Sequence, residues 1–456
     1  MRGCAYLVTA IDSRLQHGVW YHLTVLRSLL RRPVDPESDP RPVTPPTPGR
    51  WARFTALPPV MQLLVSTQLA FNVGFYMVLP YLATHLAEDL GLAAAAVGLV
   101  LGLRTFSQQG LFVVGGALTD RYGAKPVVLT GCALRVIGFI LLGAAGTLPA
   151  VIAGALLTGF AAALFSPAVE SSLAREAGER ERAGQGPART EVFALFAIAG
   201  QVGTVTGPLV GTALLLVDFG VACLVAAAGF VLVGLAHWRW LPRRAAEHAG
   251  EPALAGWREV LGNRAFLAFA AGYSGWLLCY NQLYLALPAE LERVDGTAAL
   301  GFLFVLMSVL VITLQLRVTG WSRRIGSGRS VVLGFCLMAS SFAVVALARL
   351  LPDPPGWWAL APAVLMVLLL TAGEMLAVPV AQDLVPRLAG ERRLGAHFGV
   401  LASFGGLVVL VGSTGVGALL DPAVPAAVPF LVLATVPLAG AAVLRTLARR
   451  GALAVS

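Results

Sequence analysis

Gly115-Gly116-Ala117-Leu118-Thr119-Asp120-Arg121-Tyr122-Gly123-Ala124-Lys125-Pro126 is a polar hinge between two long apolar runs. It packs one acid, two bases, three glycines and a proline into twelve residues. The flanking runs, 92–117 and 126–147, are each long enough to cross a ~30 Å hydrocarbon core as a helix. A charged hinge that short between two such segments reads as a connector at a membrane surface.

The same length of apolar segment recurs along the chain. Twelve are expected, at 58–87, 92–117, 126–147, 149–171, 191–217, 219–239, 264–289, 298–319, 330–351, 357–384, 396–420 and 427–446. Composition agrees. Of 456 residues 57% are hydrophobic and 12% charged, about half the ~25% charge of soluble domains. Mean hydropathy is +0.78. The net charge of +9 fits basic loops on one membrane face, and no basic stripe interleaved with aromatics points to nucleic acid. The five cysteines stand singly, without metal-ligand spacing. His85 with Glu88, or Gly326-x-Gly328, completes no catalytic or cofactor constellation. The expectation is a protein that is not an enzyme and carries no cofactor or metal.

Alternate connectors hold the bases. Arg121 and Lys125 are on the first of them, Arg175 to Arg189 on the second and Arg239 to Arg264 on the third, with three more basic stretches following to the C-terminus. The opposite loops offer only Arg293 and Arg349. That asymmetry places both termini and the opening hinge in the cytoplasm, in a multi-pass protein of the cell inner or plasma membrane. Residues 1–56 read as a cytoplasmic extension, largely disordered around the Pro-rich stretch 33–50. Leu15, Val19, Leu23, Leu26 and Leu30 fall on one helical face there, which suits either an interfacial helix or a dispensable tail. The longest inner loop divides the rest into a six-helix half at 57–238, a linker at 239–263, a second six-helix half at 264–446 and a tail at 447–456. The halves are weakly self-similar at an offset of 203 to 205 residues. Gly123 matches Gly326; Phe193, Gly200 and Gly207 match Phe398, Gly405 and Gly412. The fold class expected is an all-α membrane protein of twelve transmembrane helices in two six-helix pseudo-repeats.

Each part of the hinge has a physical use. Gly115 and Gly116 admit a close neighbour. Asp120, Arg121 and Lys125 can bridge to helix termini and to acids of the other half. Gly123 permits a tight turn and Pro126 suits a first helical turn. Gly116-x-Leu118-x-Asp120-Arg121-x-Gly123-x-Lys125-Pro126 resembles the signature loop of the major facilitator superfamily. The resemblance implies a gating latch that holds the halves together on the cytoplasmic side. Asp120 aligns with Arg323 in the second half, so the second copy lacks the acid. Gly203-x-x-x-Gly207-Pro208-x-x-Gly211 in the fifth segment resembles the motif of the drug:proton antiporter branch. Its glycines make one smooth face, and a pliable, closely packed helix of this kind suits the seam between halves. The arginine that such antiporters carry in the fourth segment is absent; Ala155 stands there. Gly102 to Gly110 running into Gly115–Pro126, with Arg135 nine residues on, looks like multidrug exporters of the MdtH type.

Glu374 is read as the one acid deep in a span, near mid-bilayer, where a carboxyl is a functional candidate by default. Its expected roles are a proton site, a counter-charge for cationic substrate, or both, against a structural ion pair with Arg104 or Arg135. Pairing with structure is assigned to Arg135. Glu170 and Glu191 lie near inner helix ends, as partners for the basic latch or as solvated ends. Candidate cavity residues are Asn72, Tyr76, Arg104, Trp276, Tyr280, Asn281 and Gln282, with Phe75, Tyr273 and Tyr284 beside them; aromatic walls with few polar groups suit bulky, partly hydrophobic ligands. The resemblance implies a monomeric exporter in the lipid bilayer, taking a small-molecule substrate and coupled to protons. An uptake symporter and a non-transporting receptor or assembly factor are the alternatives.

Overall fold

The computed structural model describes residues 49–453 apart from 93, 216, 245–254, 297–298, 353–355 and 421–422. The readings made for residues 1–48 lie outside the described residues.

After a short helix α1 (Arg50–Thr55), the first half runs α2 (Pro59–Thr84), α3 (Ala94–Gln109), α4 (Phe112–Tyr122), α5 (Ala124–Ala144), α6 (Leu148–Arg182), α7 (Arg189–Leu215) and α8 (Phe219–Trp240). The connector carries α9 (Ala255–Gly262). The second half runs α10 (Arg264–Tyr273), α11 (Gly275–Asn281), α12 (Ala286–Arg293), α13 (Ala299–Ile325), α14 (Ser327–Ala348), α15 (Ala361–Leu388), α16 (Leu394–Leu419) and α17 (Val428–Arg449). Ten helices among the described residues are long and apolar enough to cross a membrane, with mean hydropathy between 1.4 and 2.5.

The second and seventh expected segments are present but broken. The second splits into α3 and α4 at Gly110-Leu111. The seventh splits into α10, α11 and α12. Pro288 has no N–H to give the carbonyl four residues back, so the helix restarts with proline in its first turn. The chain between them closes tighter turns, with Leu283 N–H donating to Tyr280 O at 3.1 Å and Tyr284 N–H to Asn281 O at 3.0 Å. The fourth segment is longer than its apolar run. Helix α6 continues to Arg182, because the Arg, Glu and Ala residues after 171 are good helix formers though too polar to extend the apolar stretch. The bases Arg175, Arg180 and Arg182 therefore stand on a helix, not in a loop.

The six-helix repeat is visible in the packing. In the first half α5 packs on α6 and α8; in the second, α14 packs on α15 and α17. Between the halves α4 packs on α16, and α7 packs on α13. The repeat exchanges these two seams. The hinge glycines also correspond: Gly123 has φ 83° and ψ 159°, Gly326 φ 88° and ψ 149°. Those are angles that a side chain tolerates poorly.

Candidate functional site

Asp120 ends α4 and faces the first turn of α16. Its Oδ1 accepts from the Gly395 N–H at 2.9 Å and its Oδ2 from the Ala396 N–H at 2.7 Å. The first N–H groups of a helix have no partner within it, and the helix N-terminus carries partial positive charge. Asp120 thus caps, from the first half, a helix of the second. The approach is close because both backbones lack side chains. A methyl group on Gly116 would stand 2.0 Å from Gly395 O, and one on Gly395 2.5 Å from Gly116 O. The contact continues along α16, where Gly399 meets Phe112 O and Gly406 meets Gln109. Gly115 meets Ala163 O of α6.

The two bases of the hinge do other things than bridge the halves. Lys125 Nζ donates to Trp238 O and Leu241 O, each at 2.7 Å. It caps the C-terminal end of α8 within its own half, where a cation complements the dipole. The Arg121 guanidinium lies 5.1 Å from the Tyr122 ring centroid, and no described residue forms an ion pair with it. The reason is geometric: Gly123 turns the chain between Asp120 and Lys125, so their side chains leave on different faces.

At the matching seam Arg323 of α13 lies 3.7 Å from Glu191 in the first turn of α7. Glu191 also pairs with Arg53. Deeper contacts join the halves beside it. Buried Arg189 donates to Asp383 at 2.7 Å and to Glu391 at 2.8 Å. The Thr190 hydroxyl donates to the other Asp383 oxygen at 3.2 Å, and Arg387 to that same oxygen at 3.1 Å. Arg387 reaches Glu181 at 3.4 Å. All these contacts lie at the Asp120 end of the bundle. At the opposite end Glu290 is buried and pairs with Arg349 and, at 3.9 Å, with Arg293.

Helix α7 stands at the seam, packed on α13 of the other half, while its glycine face turns toward its own half. Gly203 meets Asn72 and Leu69 O, Gly207 meets Tyr76 and Val73 O, and Gly211 meets Met77 O. All belong to α2 of the same half. Bare backbone lets α2 and α7 close on each other. The Pro208 carbonyl accepts from the Tyr81 hydroxyl at 3.0 Å. The glycine-lined seam between halves is instead α4 against α16.

Glu374 stands half-buried on α15. Neighbouring Gly373 meets the Gly334 backbone of α14, seven residues into that helix and so about 10 Å from its Asp120-end start. Along α15 the acid is 13 residues from the first residue and 14 from the last. Its Oε2 is sealed from solvent and has no hydrogen-bond partner. Tyr273, Tyr280 and Tyr284 are within its electrostatic reach. Pro379, five residues on, cannot donate to Met375 O, and Gln315 Nε2 of α13 donates to that carbonyl at 3.0 Å. The ladder of α15 is thus interrupted directly below the acid. Two other acids, Asp383 and Glu290, are almost wholly enclosed; the first is five residues from the end of α15 and the second lies beyond the expected seventh segment. Glu170 forms no ion pair among the described residues, and its neighbours Ser171 and Ser172 line a small cavity with Asp120 and Lys125.

Neither arginine pairs with Glu374. Arg135 is 1% exposed and donates to Thr158 O at 3.3 Å. Its guanidinium sits 4.3 Å from the Phe71 ring, 5.0 Å from Phe230, 5.5 Å from Phe139 and 5.7 Å from Phe75. The structural pairing expected for it is met by aromatic rings and not by an acid. Arg104 lies 4.6 Å from Phe75 and donates to Gln108. The Tyr284 ring lies 6.1 Å from that of Tyr280, and Tyr284 is within electrostatic reach of Tyr76 across the halves. Trp276 packs between Tyr273 and Tyr280, and Asn281 closes α11. Two candidates point elsewhere. Gln282 is fully buried and donates back to Leu278 O at 3.1 Å, tied up by the helix break. Asn72 packs on Gly203 and donates to Gln68 O at 2.9 Å, because the glycine face draws it toward α7.

Arg189, Asp383, Glu391 and Gln315 were not singled out from the sequence as site residues. Asp383 carried one signal, Arg387 four residues on; its main partner is 194 residues away.

The sequence model described as Major Facilitator Superfamily matches residues 64–413. An uncharacterized MFS-type transporter of Mycobacterium tuberculosis is 40% identical over 387 residues, 82% of this chain and 89% of that protein. The multidrug resistance protein MdtH of Aeromonas hydrophila is 30% identical over 394 residues, 85% of this chain and 92% of that one. Among solved structures, a human organic anion transporter superposes with a TM-score of 0.61 at 17% identity, covering 87% of this chain and 100% of that one. A POT family transporter bound to 5-aminolevulinic acid superposes at 0.60 and 13%, covering 87% and 99%. At those identities the likeness is one of fold.

Proposed function

The chain belongs to the Major Facilitator Superfamily, and from that premise we propose that it is a proton-coupled antiporter exporting hydrophobic or cationic drug-like compounds or secondary metabolites by alternating access. It would work as a monomer in the cell inner or plasma membrane, with both termini and the Asp120 end in the cytoplasm. The halves at 57–238 and 264–446 rock about the two seams, joined by the linker 239–263. The observation that carries the reading is Glu374, a carboxyl with a sealed, unpartnered oxygen facing tyrosines in a membrane protein. A buried carboxylate without a counter-ion is costly, so it favours taking up either a proton or an organic cation. Competition between the two is the elementary act of antiport. The likeness to MdtH supports export over uptake.

The cycle follows from the clasps. With the Asp120 end fastened, the site exchanges with the outside and a proton displaces the cation. With the clasps released, cytoplasmic substrate displaces the proton. The test is proteoliposome transport of tetraphenylphosphonium under an imposed pH gradient. The parent should move the cation against the proton flux, and Glu374→Gln should lose that coupling. Full proton-driven transport by the variant would sink the Glu374 role. Movement of proton and cation in the same direction would establish a symporter.

A further inference from the structure

The end of the bundle away from Asp120 holds a second place where buried charge meets open space. A cavity of about 500 Å³ lies there, bounded by α12, the chain just past α14, the end of α16 and the start of α17. All of these belong to the second half, so the cavity is separate from the seams. Glu290, Arg293 and Arg349 supply its charged wall, and Leu420, Val424 and Phe430 belong to its apolar one. The Glu290 and Arg349 side chains are 2% and 4% exposed and form an ion pair. Arg293 stands at the rim, its side chain 34% exposed, with Nη2 3.9 Å from Glu290 Oε1.

That Oε1 is sealed from solvent and accepts no hydrogen bond among the described residues. The Arg293 contact is a charge contact, too long to be one. A buried carboxylate oxygen without a donor is costly. The neighbours restrict what the donor can be. Two guanidiniums already stand against this carboxylate, and an ammonium brought to it would meet them as a like charge. A neutral hydroxyl meets no such penalty. Arg293 at the mouth asks for the opposite chemistry. A guanidinium has five N–H donors in a fork that fits a phosphate, beside whatever else it holds.

The rim points to where such a ligand comes from. Leu350 and Leu351 follow Arg349 and are exposed; Leu431 follows Phe430 and is exposed too. In a chain that spans a membrane, large apolar side chains exposed beside a basic pocket face lipid. We propose that this cavity binds a membrane phospholipid whose headgroup is an anionic phosphodiester bearing a hydroxyl, phosphatidylglycerol being the simplest. The phosphodiester lies on Arg293, the headgroup hydroxyl donates to Glu290 Oε1, and the acyl chains leave across the leucines. The site is independent of the coupling ion and of the direction of transport.

The experiment follows thermal unfolding of the purified full chain in detergent as dioctanoyl lipids are added, and reads each affinity from the shift. Phosphatidylglycerol should bind at least about fivefold tighter than phosphatidylmethanol, which has the same charge and no headgroup hydroxyl. It should bind at least about tenfold tighter than phosphatidylethanolamine, whose ammonium meets the guanidiniums. Arg293→Gln should weaken phosphatidylglycerol by about tenfold, and Arg293→Lys, which keeps the charge but not the fork, should restore part of the loss. Ala289→Phe, which fills the cavity without removing a charge, should weaken it as well. Equal affinity for phosphatidylglycerol and phosphatidylethanolamine would overturn the proposal. So would phosphatidylglycerol affinity unchanged in both Arg293→Gln and Ala289→Phe. Phosphatidylmethanol binding as tightly as phosphatidylglycerol would remove the hydroxyl contact to Glu290. Soluble glycerophosphoglycerol binding as tightly as the lipid would overturn the membrane source.

Discussion

Replacing Asp120 by Asn removes one charge and keeps the shape. The carboxylate accepts from two N–H groups, at 2.9 and 2.7 Å. An amide can accept one of them, but its own NH2 then faces the other. The loss is one charge-assisted hydrogen bond, about 1.5–3 kcal/mol, plus the charge–dipole interaction, about 0.3–1 kcal/mol. The bond that remains changes from charge-assisted to neutral, a further loss of about 0.5–2 kcal/mol. The net is at least about 2 kcal/mol, or roughly 30-fold or more in the balance between clasped and unclasped states. A parent clasped at about 99:1 would fall to about 3:1 or lower. The readout is the distance between nitroxide labels on exposed Tyr122 and Arg392 in nanodiscs: a short distance should give way to a substantial long one. Substrate affinity should change little, since Asp120 touches no cavity residue named above. An unchanged distance distribution would refute the clasp. Lost substrate binding in a folded Asn variant would instead make Asp120 part of the site.

Lys125→Met removes the cap on α8, so it should lower thermal stability by about 1–2 kcal/mol while leaving the Tyr122–Arg392 distance unchanged. Gly395→Ala drives a methyl group toward Gly116 O; overpacking of about 1–3 kcal/mol should unclasp the seam with Asp120 intact, read by the same labels. Gln315→Leu strands Met375 O beside Pro379, and a dye-monitored melt should show a loss of about 1–3 kcal/mol. Arg189→Met leaves Asp383 without its closest cation, and about 3–5 kcal/mol should appear as poor expression or as a label distance shifted to the open form.

Most of the fold was legible, because crossing a membrane demands long apolar helices and writes them into composition. The hinge was legible too, since Gly123 and Gly326 need positive φ and few residues tolerate it. Partners were less so. Asp120 and Lys125 bind backbone amides and carbonyls, and backbone has no sequence signature. The α7 glycines announced a face at spacing four, yet spacing does not say which neighbour fills it; α2 does. The two broken segments hid because apolar residues continue through the breaks. Pro288 was the local clue, and hydropathy overrode it. The aromatic surroundings of Arg135 were invisible, since only packing reveals that no acid arrives.

The second hinge is better understood as a relocation than as a decayed copy. The N-termini of α16 and α7 present the same partial positive charge, at seams that the repeat exchanges. Helix α16 has no acid in its first turn, so Asp120 supplies one from across the seam. Helix α7 carries Glu191 in its own first turn. An aspartate at position 323 would meet that glutamate as a like charge; Arg323 meets it as an ion pair. The Arg323 side chain is 53% exposed and the pair is 3.7 Å apart, so it is worth about 0–1 kcal/mol, against at least about 2 kcal/mol for the Asp120 cap. The two hinge contacts therefore differ in strength through their charges, and the buried Arg189–Asp383 pair beside α7 reinforces the weaker one.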